Sequence, residues 1–284
     1  MTMKAVLLAV VSSALLSAAA APQDRPDLDV LLDKLATYLE SYESRLSAIV
    51  ADERYVQEER RGSMVLTSRT TEAEVLFLRL PGEAEWFGVR DVKRVNRKPV
   101  TGTGITLSDL FKNPGADVLQ KAVAIVEASS RHNLGGRRTI NMPTVPLEAL
   151  SARNHPRYIF KLRGKARVSG VHTERLEFNE FDEPTLVQAL DGGPLWSRGN
   201  VWLEPETGTV WRAELIVGPD RPEVYHRVNL ESRVRVEFMR DAALGMMVPK
   251  ELSESFWIRR GTGYGKGKYS NFRRFGTDAR LVPQ

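Results

Sequence analysis

The side chains able to do chemistry are few and dispersed. Four histidines, His132, His155, His172 and His226, are too far apart to suggest a metal pair, and no H-E-x-x-H stands in the chain. There is no cysteine, so thiolate zinc motifs are excluded and disulfides contribute nothing to stability. No G-x-S-x-G elbow presents a serine nucleophile. The glycine-rich run 261–268 invites a phosphate-loop reading. However, G-x-x-x-x-G-K-[ST] spacing would put Thr262 or Arg260 where its first glycine must stand. A strand, not a helix, follows, so no dinucleotide fingerprint fits either, and the run is predicted to be a flexible hairpin turn. Glu174, Glu177 and Glu180 alternate along a predicted strand, and Glu251 and Glu254 fall on opposite sides of another. Their spacing does not pair them at a catalytic distance. No reaction, metal or cofactor is therefore implied. Four of the five tryptophans, Trp196, Trp202, Trp211 and Trp257, fall in the C-terminal third, where they pack a core, line an apolar pocket or mark a partner surface.

The element that would position these residues is the stretch 224–238. Val224, His226, Val228, Leu230, Ser232, Val234, Val236 and Phe238 alternate with Tyr225, Arg227, Asn229, Glu231, Arg233, Arg235 and Glu237. Side chains on a strand alternate between faces, so this predicts one long strand with an apolar face, broken only by His226 and Ser232, and a charged face. Before it come predicted strands at 64–80, 86–95, 157–163, 166–181, 200–204 and 209–217. After it come 246–259 and 268–277. The apolar run 75–78 predicts a strand covered on both sides. Apolar residues at three- and four-residue spacing from Leu28 predict an amphipathic helix to about Ala51, capped by Asp27 or Asp29. A second helix opening at Pro114 carries Val118, Leu119, Ala122, Val123, Ile125 and Val126 on its inner face. The basic cluster Arg90, Lys93, Arg94, Arg97 and Lys98 reads as a strand edge protected by charge.

Residues 1–21 combine Lys4, an apolar run and a small-residue A-x-A site, and read as a secretory signal peptide. This predicts a periplasmic or secreted protein with no transmembrane span, and the missing lipobox cysteine argues against a lipid-modified anchor. Residues 22–284 are read as one domain with a helical insertion at about 106–152, with two domains as the alternative. The chain carries 41 Lys+Arg against 36 Asp+Glu, intermixed rather than concentrated, which does not suit a nucleic-acid partner.

The segment Gly199-Asn200-Val201-Trp202-Leu203-Glu204-Pro205-Glu206-Thr207-Gly208-Thr209-Val210 resembles the G-x-x-W-(I/L)-(D/E)-P-x-T-G-x-V hairpin of bacterial outer-membrane lipoprotein-sorting-like proteins of the LolA/LppX type. The order of elements is similar too. Residues 247–252 and 269–275 are similar to a related group of secreted bacterial proteins. The resemblance implies an α+β fold, a strongly curved antiparallel sheet forming an unclosed barrel, with helices covering its concave side. Proteins of that kind hold acyl chains between sheet and helices.

The leading expectation is an exported, non-catalytic envelope protein that binds a lipophilic ligand or a lipoprotein acyl chain. Trp202, Trp211, His226, Val228, Leu230, Ser232, Val234, Val236, Phe238 and Phe256 would line its cavity. A filled core predicts the same pattern. The alternatives are an envelope interaction module docking other proteins through the charged face of 224–238, and a secreted enzyme using carboxylates in the half-barrel.

Overall fold

A computed structural model describes residues 27–79, 86–100, 104–112, 117–136, 140–189, 192–219, 231–258 and 261–274. The signal-peptide expectation, and with it His226, Val228 and Leu230, lies outside the described residues. So does residue 114, where the second helix was expected to open.

The first helix, α1, is Leu28–Leu46. Asp27 caps it, its carboxylate accepting from the Asp29 N–H at 2.9 Å. The apolar spacing predicts helix through Ala51, but Ala48 adopts a left-handed φ of 65° and Ile49–Arg61 is the first strand, β1. Ile49-Val50-Ala51 satisfies both periods, and burial on two faces decides for strand. Ile49 and Ala51 join one apolar cluster and Val50 the other.

Strands β2 (Met64–Arg79), β3 (Trp86–Val95) and the two-residue β4 (Lys98–Pro99) follow. Then come helices α2 (Asp109–Lys112), α3 (Val118–Ser130) and α4 (Val145–Glu148), and a 3-10 turn at Ala152–Arg157. The remainder is β5 (Tyr158–Val168), β6 (Val171–Glu180), β7 (Val187–Gln188), β8 (Pro194–Leu203), β9 (Val210–Gly218), β10 (Ser232–Asp241), β11 (Met246–Ile258) and β12 (Gly261–Arg274).

These strands form one large antiparallel sheet that does not close, ordered β4-β3-β2-β1-β12-β11-β10-β9-β8-β6-β5, with β7 beside β8. The strands before and after the helical segment meet where β1 pairs with β12. The β5–β6 turn falls at Ser169-Gly170 rather than at 163–165. Both turn residues are left-handed, with φ of 49° and 84°, which a two-residue hairpin requires. Gly164 instead absorbs a register shift within β5.

Two apolar clusters hold the molecule. Leu31, Leu35, Leu39, Tyr42 and Leu46 of α1 pack with Ile49, Val75, Phe77, Val201, Leu215, Val236 and Phe238. Leu76, Leu78 and Val89, on the opposite face of β2 and β3, pack with Leu110 of α2 and Ala122 and Ile125 of α3. The run 75–78 is thus covered on both sides, as its composition requires. The inner face of α3 is narrower than expected, because Leu119 and Val123 stand exposed. No helix among the described residues is long and apolar enough to cross a membrane.

Candidate functional site

The expected cavity residues do not all meet. Over 233–238 the predicted faces hold: Val234, Val236 and Phe238 are buried against the α1 cluster, and Arg233, Arg235 and Glu237 lie on the other face. Ser232 opens β10 half-buried, and Trp211 is half-buried against the same cluster. Trp202 belongs elsewhere. It pairs with Arg212, which pairs with Glu237, so the register sets it on the charged face. There the Arg212 guanidinium lies 5.2 Å from its ring centroid. The alternation of 200–204 could have revealed this, because Val201 and Leu203 occupy the inner positions. Phe256 packs on the β12 glycines: a Cβ at Gly263 would strike its ring.

The layer between α1 and the sheet is aromatic. Tyr38 and Tyr42, one turn apart on α1, stack at 5.6 Å, and Tyr42 meets Phe238 edge-on at 6.3 Å. Burial pushes the Tyr38 hydroxyl well above the usual tyrosine range, against a backbone hydrogen bond at Val210 and the charges of Arg240 and Arg45. Burial, reinforced by Tyr38, does the same to Tyr42. The buried Tyr42 hydroxyl and Trp211 Nε1 have no hydrogen-bond partner among the described residues. Most buried polar groups are paired, so such orphaned donors in one apolar cluster, which also holds the Tyr269 hydroxyl, likewise unpartnered among those residues, are unusual.

A second cluster lies where β1, β3, β11 and β12 approach. Arg90 makes a two-pronged ion pair with Glu53, Nε–Oε2 at 2.6 Å and Nη2–Oε1 at 2.9 Å, and donates to the Asn141 carbonyl at 2.8 Å. Its guanidinium sits 5.3 Å from the centre of the Tyr55 ring, and the Tyr55 hydroxyl donates to Glu254. Burial works against the Arg90 charge, but Glu53 holds its pKa above the ordinary arginine value. Arg90 therefore departs from the charged-edge expectation, since it points inward to a carboxylate on β1, two strands away across β2.

The glycine-rich run makes room for this cluster. It is not a turn but the first half of β12. Gly261, Gly263, Gly265 and Gly267 lie on one face, alternating with Thr262, Tyr264, Lys266 and Lys268. A Cβ on Gly265 would lie 2.7 Å from Glu254 Cγ and closer still to the Tyr55 hydroxyl. The period-two glycine spacing was the signal. Beside the cluster, Gly88, Arg90, Ser129, Asn133 and Asn141 border a cavity of about 30 Å³, room for a water molecule.

Four of the buried carboxylates are committed to structure. Besides Glu53 and Glu254, Glu180 accepts from the Ser197 N–H at 2.9 Å, the Ser197 hydroxyl at 2.7 Å and the Leu186 N–H at 2.7 Å. Glu214 accepts from Arg235 at 2.7 Å. No group of three metal-ligating side chains converges among the described residues. The charged face of β10 is largely self-paired, through Arg235–Glu214 and Arg212–Glu237 at 2.8 Å. The same face differs where it continues onto β1 and β12. Arg54, Arg60, Tyr264, Lys266 and Lys268 border an open groove of about 490 Å³.

No protein-family model matches this chain, and no curated protein matches it. Its structural neighbours are DUF1329 and LolA-superfamily proteins. A DUF1329 family protein from Desulfovibrio piger is 14% identical, with a TM-score of 0.42 over 88% of this chain and 94% of that one. A putative outer-membrane lipoprotein-sorting protein domain from Vibrio parahaemolyticus is 11% identical, with a TM-score of 0.42 over 86% and 93%. A LolA superfamily protein from Nitrosomonas europaea is 11% identical, with a TM-score of 0.32 over 87% and 93%.

Proposed function

We propose that this is an exported, non-catalytic envelope protein that holds a lipophilic ligand, or the acyl chain of a lipoprotein, between α1 and the sheet. The observation that carries the reading is the pair of orphaned donors, Tyr42 hydroxyl and Trp211 Nε1, in an otherwise apolar aromatic layer. An unsatisfied buried donor costs about 1–3 kcal/mol, a cost that ester or carboxyl oxygens of a lipid would remove. In this reading the sheet is a curved half-barrel and α1 covers its concave side. Val228, Leu230, Val234, Val236, Phe238 and Trp211 contact the chain, and His226 and Ser232 orient its polar end. The resemblance of the 199–210 hairpin to lipoprotein-sorting-like proteins supports the same ligand class.

The test is solvent extraction and mass spectrometry of the purified full-length protein, with displacement of a fluorescent fatty acid. Co-purifying lipid is expected at near-stoichiometric yield, and Tyr42→Phe should weaken retention about five- to ten-fold, the loss of one buried hydrogen bond. Absence of both extracted lipid and probe binding would sink the reading. So would unchanged retention by Tyr42→Phe together with Trp211→Phe.

A further inference from the structure

We infer that the end of the sheet where the β1–β2 hairpin lies beside the ends of β11 and β12 docks on an anionic lipid bilayer. Half of the large apolar side chains that stand exposed among the described residues gather there: Met64, Val65, Leu66, Trp257 and Tyr264, between 39% and 56% exposed. The pairing brings them together. Arg60 is opposite Val65 on one side and Thr262 on the other, and Thr262 is opposite Trp257. Tyr264 lies one row behind, opposite Glu58 and Ser255.

An aliphatic hairpin tip flanked by Trp and Tyr suits the boundary between headgroups and acyl chains, because those rings are apolar with one polar end. Hairpin ends can enter that layer without exposing unpaired backbone along their strands.

The cations complete the argument. Arg60, ion-paired with Glu58, lies 5.1 Å from the centre of the Tyr264 ring. Further back, Arg54 and Lys268 are directly opposed across β1 and β12, and like charges so placed are destabilising. On their other sides stand Glu72 and Glu251, directly opposite in the register, but these carboxylates form their ion pairs with Arg94 at 3.6 Å and Lys266 at 2.8 Å. The open groove of about 490 Å³ between these rows is lined by Arg54, Arg60, Lys266 and Lys268 and by the carboxylates Glu58 and Glu254, an excess of cations. Anionic headgroups would relieve the Arg54–Lys268 repulsion, and each cation near such a surface strengthens binding about five-fold. This surface is on the opposite side of β1 and β12 from the aromatic layer, and the inference does not rest on a lipid being held inside.

Cosedimentation of the full chain with phosphatidylcholine vesicles, with and without phosphatidylglycerol, tests it. Binding is expected only with phosphatidylglycerol, and it should fall as salt rises. Arg54→Glu with Lys268→Glu should weaken it at least twenty-fold. Leu66→Ser with Trp257→Ser should abolish the blue shift of tryptophan emission on binding. All four positions are exposed, so circular dichroism and melting temperature should be unchanged in both variants. Equal binding to neutral vesicles, absence of binding to either kind, or undiminished binding by the charge-reversed variant would overturn the inference. Full competition by soluble glycerol phosphate would also overturn it, by assigning the groove to a free anion.

Discussion

Gly265 shows how much one missing methyl can decide. Its position on β12 faces the Tyr55–Glu254 hydrogen bond, and any side chain there would displace a buried polar pair. Gly265→Ala is expected to destabilise the fold by about 1–3 kcal/mol, the cost of overpacking, read as a lower urea midpoint. Lys266→Ala, facing outward next to it, should stay within about 0.5 kcal/mol of the parent. Arg90 is the complementary case. Replacing it with Met leaves the Glu53 carboxylate buried and unpaired, which should cost about 3–5 kcal/mol. If Arg90→Met with Glu53→Leu regains most of that loss, the pair is a packing solution rather than a source of net stability.

Elements are decided by competition between local preferences. The α1–β1 junction turns on Ala48, a residue held at φ 65° where L-residues pay roughly 1–2 kcal/mol. Ala48→Gly removes that strain while loosening the unfolded chain, so a gain of about 0.5–1 kcal/mol is expected from chemical denaturation. The helix spacing running into 49–51 was legible in the sequence, but the strand that replaced it was not. Nothing local announces that Ile49 and Ala51 will be buried against α1 while Val50 faces α3. The strand β1 was hidden for the same reason. Its composition is charged, yet Glu53, Tyr55 and Gln57 are buried because Arg90 on β3, Glu254 on β11, and His132, Leu134 and Asn141 satisfy them. By contrast, β2, β3, β9 and β11 were readable, since their alternation and their turn residues agree, whereas only the second half of β8 was.

At the scale of the molecule, four tyrosines are held neutral by burial. Tyr42 and Tyr269 lie well above the usual value, Tyr269 also because Glu53 is near, and Tyr38 and Tyr158 are raised as well. Their folded pKa values exceed the ordinary 10.0. Their contribution to stability is therefore fully present below that pH and is lost as pH climbs above it, because the unfolded chain ionises first. A spectrophotometric titration should show these tyrosines resisting ionisation near pH 10.0 and then ionising together with unfolding. Simultaneous titration of all tyrosines in the folded protein would contradict the burial.

By itself the sequence determined the β-rich class, the amphipathic first helix, the β2–β3, β8–β9 and β10–β11 hairpins and the lack of the catalytic motifs sought, because each depends on periodicity or turn chemistry within a few residues. Only the tertiary structure decided that β1 pairs with β12, that Trp202 leaves the apolar face, and that the glycine run is a strand lining a buried ion pair. Those outcomes depend on register and on side chains about two hundred residues away in sequence, such as Tyr55 and Glu254. No local pattern encodes which distant group will fill the space a glycine leaves.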